Sequence, residues 1–337
     1  MKLAIISVSD KGQELAKRLS QKIDSDSTII KCDMYHKNVK RYFPILFYEY
    51  DAIIAIMASG ILIRSIAPLI ESKTTDPAVL NIDDNGNFVI STLSGHLGGA
   101  NDLTVKIAGL LDATPVITTS TDVNNKLGID VLAKDLYLSI DNTKEILFFN
   151  KAILEGREIS LTINPDKNFK YLFEYLNNNT FEINVSIYYS SKVNPDEIQV
   201  TLDDHEMILR ERKIVVGIGC RRGKECEKIH HGLVESLNDL KLIPSRVNML
   251  ASAEIKKDEE GILELSEKLD VPVYFVELDK LRLFKSRDVA RSEFVYSKFG
   301  IYGVCEPSAL IMAGIDSKLI YKKTSYGGVT IAIAISK

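Results

Sequence analysis

The sequence predicts an α/β protein. It has an amino-terminal doubly wound sheet domain over residues 1–130, a small α+β middle segment over 131–211, and a carboxy-terminal α/β domain over 212–337. Three observations predict this. Short β-branched runs alternate with segments of helical period through the first 130 residues. Glycine turns then cease, apart from Gly156, while Asn, Lys and Tyr become frequent. From Lys213 the strand–glycine–helix pattern returns, and a chain of 337 residues exceeds one ordinary core.

Taken in order, Leu3–Ser7 reads as a strand, and Leu15, Leu19 and Ile23 recur at helical spacing after it. Ser27–Lys31 reads as a second strand. Asp51–Met57 is a third, apolar throughout as a strand covered on both faces should be. It ends in the small turn Ala58-Ser-Gly60, and Ile61–Leu69 continues as a helix carrying Arg64. Ala78–Ile82 and Phe88–Thr92 pair across the turn Asp84–Asn87. Helical spacing at Leu103, Ile107, Leu110 and Leu111 follows, with Asn101 or Asp102 as its cap. Thr114–Asp122 reads as a strand with a hydroxyl-rich end. In the middle segment 147–154 and 169–176 read as helices, and 158–163, 181–189 and 207–209 as strands. His205 lies in the turn 203–206 and reads as a surface histidine. In the last domain Ile214–Gly219, Val247–Ala251, Val273–Val276, Leu319–Tyr321 and Val329–Ile335 read as strands. Helices are expected around Ile229, Leu233 and Leu237, over 258–269, and over 309–313 behind Pro307.

The stretch Ile90-Ser-Thr-Leu-Ser-Gly-His-Leu-Gly-Gly-Ala-Asn101 joins a strand to a helix and holds three glycines, three hydroxyls and a histidine. Such a loop brings bare N–H groups to an anion, and the helix end adds partial positive charge. A plain connection whose glycines relieve crowding is the alternative. In doubly wound sheets ligands bind beyond the carboxyl ends of the strands. Ser59, Gly60, His96, the glycines and residues 118–122 all fall at such ends.

The second glycine stretch, Gly217-Ile-Gly-Cys-Arg-Arg-Gly223, has one residue too many for the dinucleotide fingerprint. Its arginines suit carboxylate or phosphate groups, or form a solvated basic turn. Cys226 and His230, with Cys220 and His231 nearby, lack a well-spaced fourth partner and a zinc-ribbon spacing, so no metal site is expected. The G-x-S-x-G elbow, the H-E-x-x-H motif and the Walker lysine are absent. A net charge of −4 argues against a nucleic-acid surface, and no apolar run is long enough to span a bilayer. The chain is therefore expected to be cytoplasmic, its four cysteines forming no disulfide framework. His96 is the expected general base, with Gly98 and Gly99 N–H groups as oxyanion donors, unless the ring serves only to brace its loop. Glu306 is either a second acid–base group or a capping carboxylate.

Residues 57–64, 66–69, Lys73 with 76–79, 93–101 and 116–122 together resemble the cobalt-precorrin-5A hydrolase (CbiG) family of anaerobic cobalamin biosynthesis. Residues 216–223, Lys256 with Glu259, 303–310 and 329–335 resemble that family's carboxy-terminal domain. The resemblance implies a hydrolase acting on a carbon–carbon bond. It opens a corrinoid δ-lactone and releases acetaldehyde, giving cobalt-precorrin-5B. Cobalt would be carried by the substrate, with no cofactor of the protein's own. The alternative is a non-catalytic tetrapyrrole carrier of the same pathway. Expected contacts to the corrinoid are Ser59, Gly60, Arg64, Ser94, Gly95, Gly98, Gly99, Asn101, Thr119, Asp122, Gly219, Arg221, Arg222 and Lys323. A homo-oligomer or a contact with another pathway enzyme is left open.

Overall fold

A computed structural model describes residues 1–337, the side chain of Phe294 excepted. The chain divides into two compact units, residues 1–26 with 31–211, and residues 27–30 with 212–337.

The first unit opens with β1 (Lys2–Ser7), α1 (Asp10–Ile23), β2 (Lys31–His36), α2 (Val39–Glu49), β3 (Ala52–Ile56) and α3 (Ser59–Ile66). Next come β4 (Ala78–Ile82), β5 (Phe88–Leu93), α4 (Ala100–Leu111), β6 (Thr114–Val116), α5 (Ser120–Val123) and α6 (Ile129–Asp135). The six strands form one sheet in the order β2-β1-β3-β4-β5-β6. Strands β1 to β4 are parallel, and every residue of β3 is buried, as a central strand requires. Strand β5 runs antiparallel to β4, and β6 runs with β5. The sheet is thus mixed rather than wholly parallel, because the tight turn between β4 and β5 reverses the chain.

Ser9 caps α1, its Oγ accepting from Gly12 N–H at 2.9 Å, while Leu15, Ala16, Leu19 and Ile23 face the core. Helix α2 forms despite Pro44 inside it, because Phe43 and Leu46 are fully buried in the core beside β1 and β3. Of the expected second strand Ser27–Lys31, residues 27–30 instead belong to the second unit: Ser27 O accepts from Lys322 N–H. The second strand therefore starts at Lys31.

The rest of the first unit is β7 (Leu138–Ile140), α7 (Ile146–Leu154), β8 (Ile159–Ile163), α8 (Lys170–Asn178), β9 (Val185–Tyr189), β10 (Glu197–Leu202) and β11 (His205–Glu211). Its sheet has the order β7-β11-β10-β8-β9. Strand β10 is absent from the sequence reading. His205 opens β11, stacked on Phe148 at 3.6 Å between ring centroids.

The second unit contains β12 (Ile214–Cys220), α9 (Cys226–Asp239), β13 (Met249–Ala253), α10 (Glu260–Leu269), β14 (Val273–Val276), α11 (Leu278–Leu283), α12 (Glu293–Phe299), α13 (Cys305–Ala313), β15 (Lys318–Tyr326) and β16 (Val329–Ile335). The strand order is β14-β13-β12-β16-β15, with β12, β13 and β14 parallel and β16 antiparallel to its neighbours. A Cβ on Gly217 would lie 1.9 Å from Cys305 O, so only glycine lets α13 seat on β12.

Candidate active site

The reversal at β5 sorts the expected residues into two groups. The carboxyl end of β5 lies beside the amino ends of β3 and β4, since Val79 pairs with Leu93 and Ala52 with Ala78. Ser59, Gly60 and Arg64 follow β3 and occupy the opposite edge, about 17 Å away for a five-residue strand. They are not neighbours of His96. There Ser59 Oγ donates to Asn81 Oδ1, and exposed Arg64 folds back over Gly60.

At the β5 edge the loop before α4 is tightly determined. Ser94 takes a left-handed φ of 57° and Gly99 one of 82°. A Cβ on Gly98 would meet Ser94 Cβ at 2.4 Å, and one on Gly95 would meet Asn101 Oδ1 at 2.7 Å. The helix begins at Ala100 with Gly99 as its cap, so neither Asn101 nor Asp102 caps it. Freed from that task, Asn101 turns into a side-chain network. Its Oδ1 accepts from Ser91 Oγ at 2.7 Å, and its Nδ2 donates to Thr119 Oγ1 at 3.0 Å and to Asp122 Oδ2 at 3.1 Å. The Gly99 N–H donates to His96 O at 2.9 Å, which removes it from the expected oxyanion pair. Among the described residues, the Gly98 N–H and the buried Ser94 Oγ have no protein partner.

His96 lies between two carboxylates. Its Nε2 is 2.8 Å from Asp122 Oδ2 and 3.1 Å from Thr121 Oγ1, and its Nδ1 is 3.0 Å from Asp130 Oδ2. Asp130 Oδ1 accepts from Asn150 Nδ2 at 2.8 Å, and Asn150 Oδ1 accepts from Ile129 N–H at 2.8 Å. Burial opposes a charge on the ring, but the hydrogen bonds and charges of Asp122 and Asp130 outweigh it and raise its pKa to about 9. Burial likewise pushes the Asp130 carboxyl up, yet His96 and Asn150 hold it below its ordinary value. At neutral pH the ring is an imidazolium whose two N–H groups both donate to carboxylates. The free imidazole nitrogen that a general base needs is thus not on offer. Asp130 and Asn150 are absent from the sequence reading. A signal existed: Asp130 interrupts the apolar run 127–133, and Asn150 lies four residues after Ile146 on the buried face of α7.

In the second unit the end of β12 and the loop after it bring Gly219, Arg221 and Arg222 to one sheet edge beside the Gly327-Gly328 turn. Arg222 is spoken for, pairing with Asp258 at 2.7 Å. Arg221 and Lys224 flank Gly328, and exposed Arg221 has no side-chain partner among the described residues. The Glu306 carboxylate is buried, accepting from Ala290 N–H at 2.8 Å and Lys323 N–H at 3.0 Å. This is a clasp between a loop and the bulge of β15, neither a helix cap nor an exposed acid. Lys323 donates its N–H to that clasp and leaves its ammonium without a side-chain partner among the described residues. Burial pushes the Cys305 thiol up to about 11, which leaves it inert near neutral pH.

Residues 41–122 match the family described as cobalamin synthesis G N-terminal, and residues 214–334 match cobalamin synthesis G C-terminus. The chain is 30% identical to the cobalt-precorrin-5A hydrolase of Priestia megaterium, with 98% of this chain and 94% of that one covered. It is 34% identical to a protein of Methanocaldococcus jannaschii named a probable cobalt-precorrin-5A hydrolase, with 99% of both chains covered. A solved cobalamin biosynthesis protein G homologue from Sulfolobus solfataricus superposes with a TM-score of 0.63 at 27% identity, over 100% of this chain and 97% of that one.

Proposed function

The chain belongs to the cobalamin synthesis G family, and from that membership we infer that it is a cobalt-precorrin-5A hydrolase. The observation that carries this is identity of 30–34% to hydrolases of that name along nearly the whole of both chains. The same names favour an enzyme over a non-catalytic carrier. No helix among the described residues is long and apolar enough to cross a membrane.

The reaction opens a lactone on the corrinoid and releases acetaldehyde, consuming one water. Two chemical demands follow. Water must be deprotonated as it attacks the lactone carbonyl, and negative charge on the carbonyl oxygen must be received. The loop over 94–99 suits the second demand, because the Gly98 N–H is uncommitted and precedes the amino end of α4. The cobalt travels with the substrate. Carboxylate arms on the macrocycle call for cations with unspent hydrogen bonds, and Arg221 and Lys323 have them. Arg64, at the other edge of its sheet from His96, is left out of the His96 site.

Incubation of the purified protein with cobalt-precorrin-5A, followed by an assay for acetaldehyde, tests this reading. Stoichiometric release is expected. Tight corrinoid binding with no release would favour the carrier.

A further inference from the structure

We propose that Asp122 is the catalytic base of this hydrolase, and that His96, Asp130 and Asn150 are positioning residues arrayed behind it. The proposal rests on the hydrolase reading above. The four groups form a line that runs from the interior outwards. Asn150 is fixed by Ile129 N–H, Asp130 is bonded through both oxygens, and His96 is bonded through both nitrogens. Side-chain exposure is 5% for Asp130, 10% for His96 and 27% for Asp122. Asp122 is therefore the member that a substrate can reach.

The geometry at Asp122 suits proton abstraction. Its Oδ2 is held by His96 Nε2 at 2.8 Å and Asn101 Nδ2 at 3.1 Å. Among the described residues Oδ1 has no protein donor, so it remains for a water. Asn101 is itself oriented by Ser91 and Thr119. A charged imidazolium between two carboxylates also lessens their mutual repulsion. Such bracing is what holds a reacting group within a narrow angular range.

The step balances as follows. Asp122 takes a proton from water while the water oxygen bonds to the lactone carbonyl carbon. The acyl carbon–oxygen bond then breaks, giving a carboxylic acid arm and an alkoxide on the two-carbon unit. The alkoxide electron pair forms the aldehyde C=O as the carbon–carbon bond to the macrocycle breaks. The bonding pair passes into the ring, which takes up the proton held by Asp122. One water is consumed, one acetaldehyde leaves, and the carboxylate is restored.

Three variants test the assignment. Asp122→Asn is expected to lower acetaldehyde release about 10²–10⁴-fold while still binding the corrinoid. Asp122→Glu, which keeps a carboxylate, should recover part of that loss. Asp130→Asn should lower kcat less and move the alkaline limb of its pH profile to lower pH. The ring then has one anionic partner fewer, so it loses its second proton sooner. Titration of the His96 ring by NMR in Asp130→Asn should move the same way. Turnover of Asp122→Asn within about threefold of wild type, or an alkaline limb unmoved in Asp130→Asn, would overturn the proposal. Wild-type protein that releases no acetaldehyde would overturn the hydrolase reading itself. That result differs from failure of the base assignment, in which wild type and Asp122→Asn both turn over.

Discussion

At His96 two opposed effects meet, burial that disfavours charge and a pair of carboxylates that favour it, and the carboxylates prevail. The consequence for stability has a definite sign. A folded pKa of about 9 against an ordinary value of 6.5 means that the contribution is fully present below pH 6.5 and is lost as pH rises through 9. Its size is on the order of 3 kcal/mol. Denaturant midpoints measured from pH 6 to 10 should fall across this window in the wild type, and the fall should flatten in His96→Asn. At Arg221 the expected effect is smaller, because the side chain is exposed. Arg221→Ala should raise KM about two- to fivefold and leave kcat nearly unchanged, as steady-state kinetics would reveal.

Among the elements, α13 depends on a glycine that belongs to its neighbour. Gly217→Ala would drive a Cβ into the Cys305 carbonyl at 1.9 Å, so α13 must lift from β12. A loss of about 1–3 kcal/mol, at the upper end of that range, is expected in chemical denaturation. Gly109 lies on the exposed side of α4, with nothing within 4 Å of its would-be Cβ and no positive φ. Gly109→Ala should therefore stabilise by about 0.5–1 kcal/mol in the same measurement. The contrast is one of packing, since both glycines lie inside regular elements. The β4–β5 hairpin is the other decisive element. Its turn is legible as Asp84–Asn87, and the structure adds the Asp83 carboxylate just before it, which accepts from the N–H groups of Asn85, Asn87 and Phe88. Reversal of the chain there is what separates Arg64 from His96.

For the molecule as a whole, a net charge of −4 faces a substrate rich in carboxylates. Attraction must then come from local cations, and exposed ones are screened by salt with a Debye length of about 8–10 Å at 0.1–0.15 M. Raising the ionic strength should increase KM while kcat stays level, because the ion pairs around His96 are largely buried. A parallel fall of kcat under the same conditions would contradict that separation of roles.

The sequence by itself determined the α/β class, the glycine loop ahead of α4 and the family. These rest on short-range signals: strand and helix periods, and motifs whose spacing is local. Helix α2 is absent from the sequence reading; it carries Pro44 inside it and is held by tertiary burial of Phe43 and Leu46 rather than by a local signal. His96 was legible as a singular residue in a glycine frame, but its charge state was not. Only the tertiary structure brings Asp130 and Asn150, 34 and 54 positions away in the chain, to the ring side, and only it shows Glu306 clasped by two backbone amides. Protonation depends on which charges come within about 3 Å and how little water remains, and both are properties of the folded interior rather than of any local run of residues.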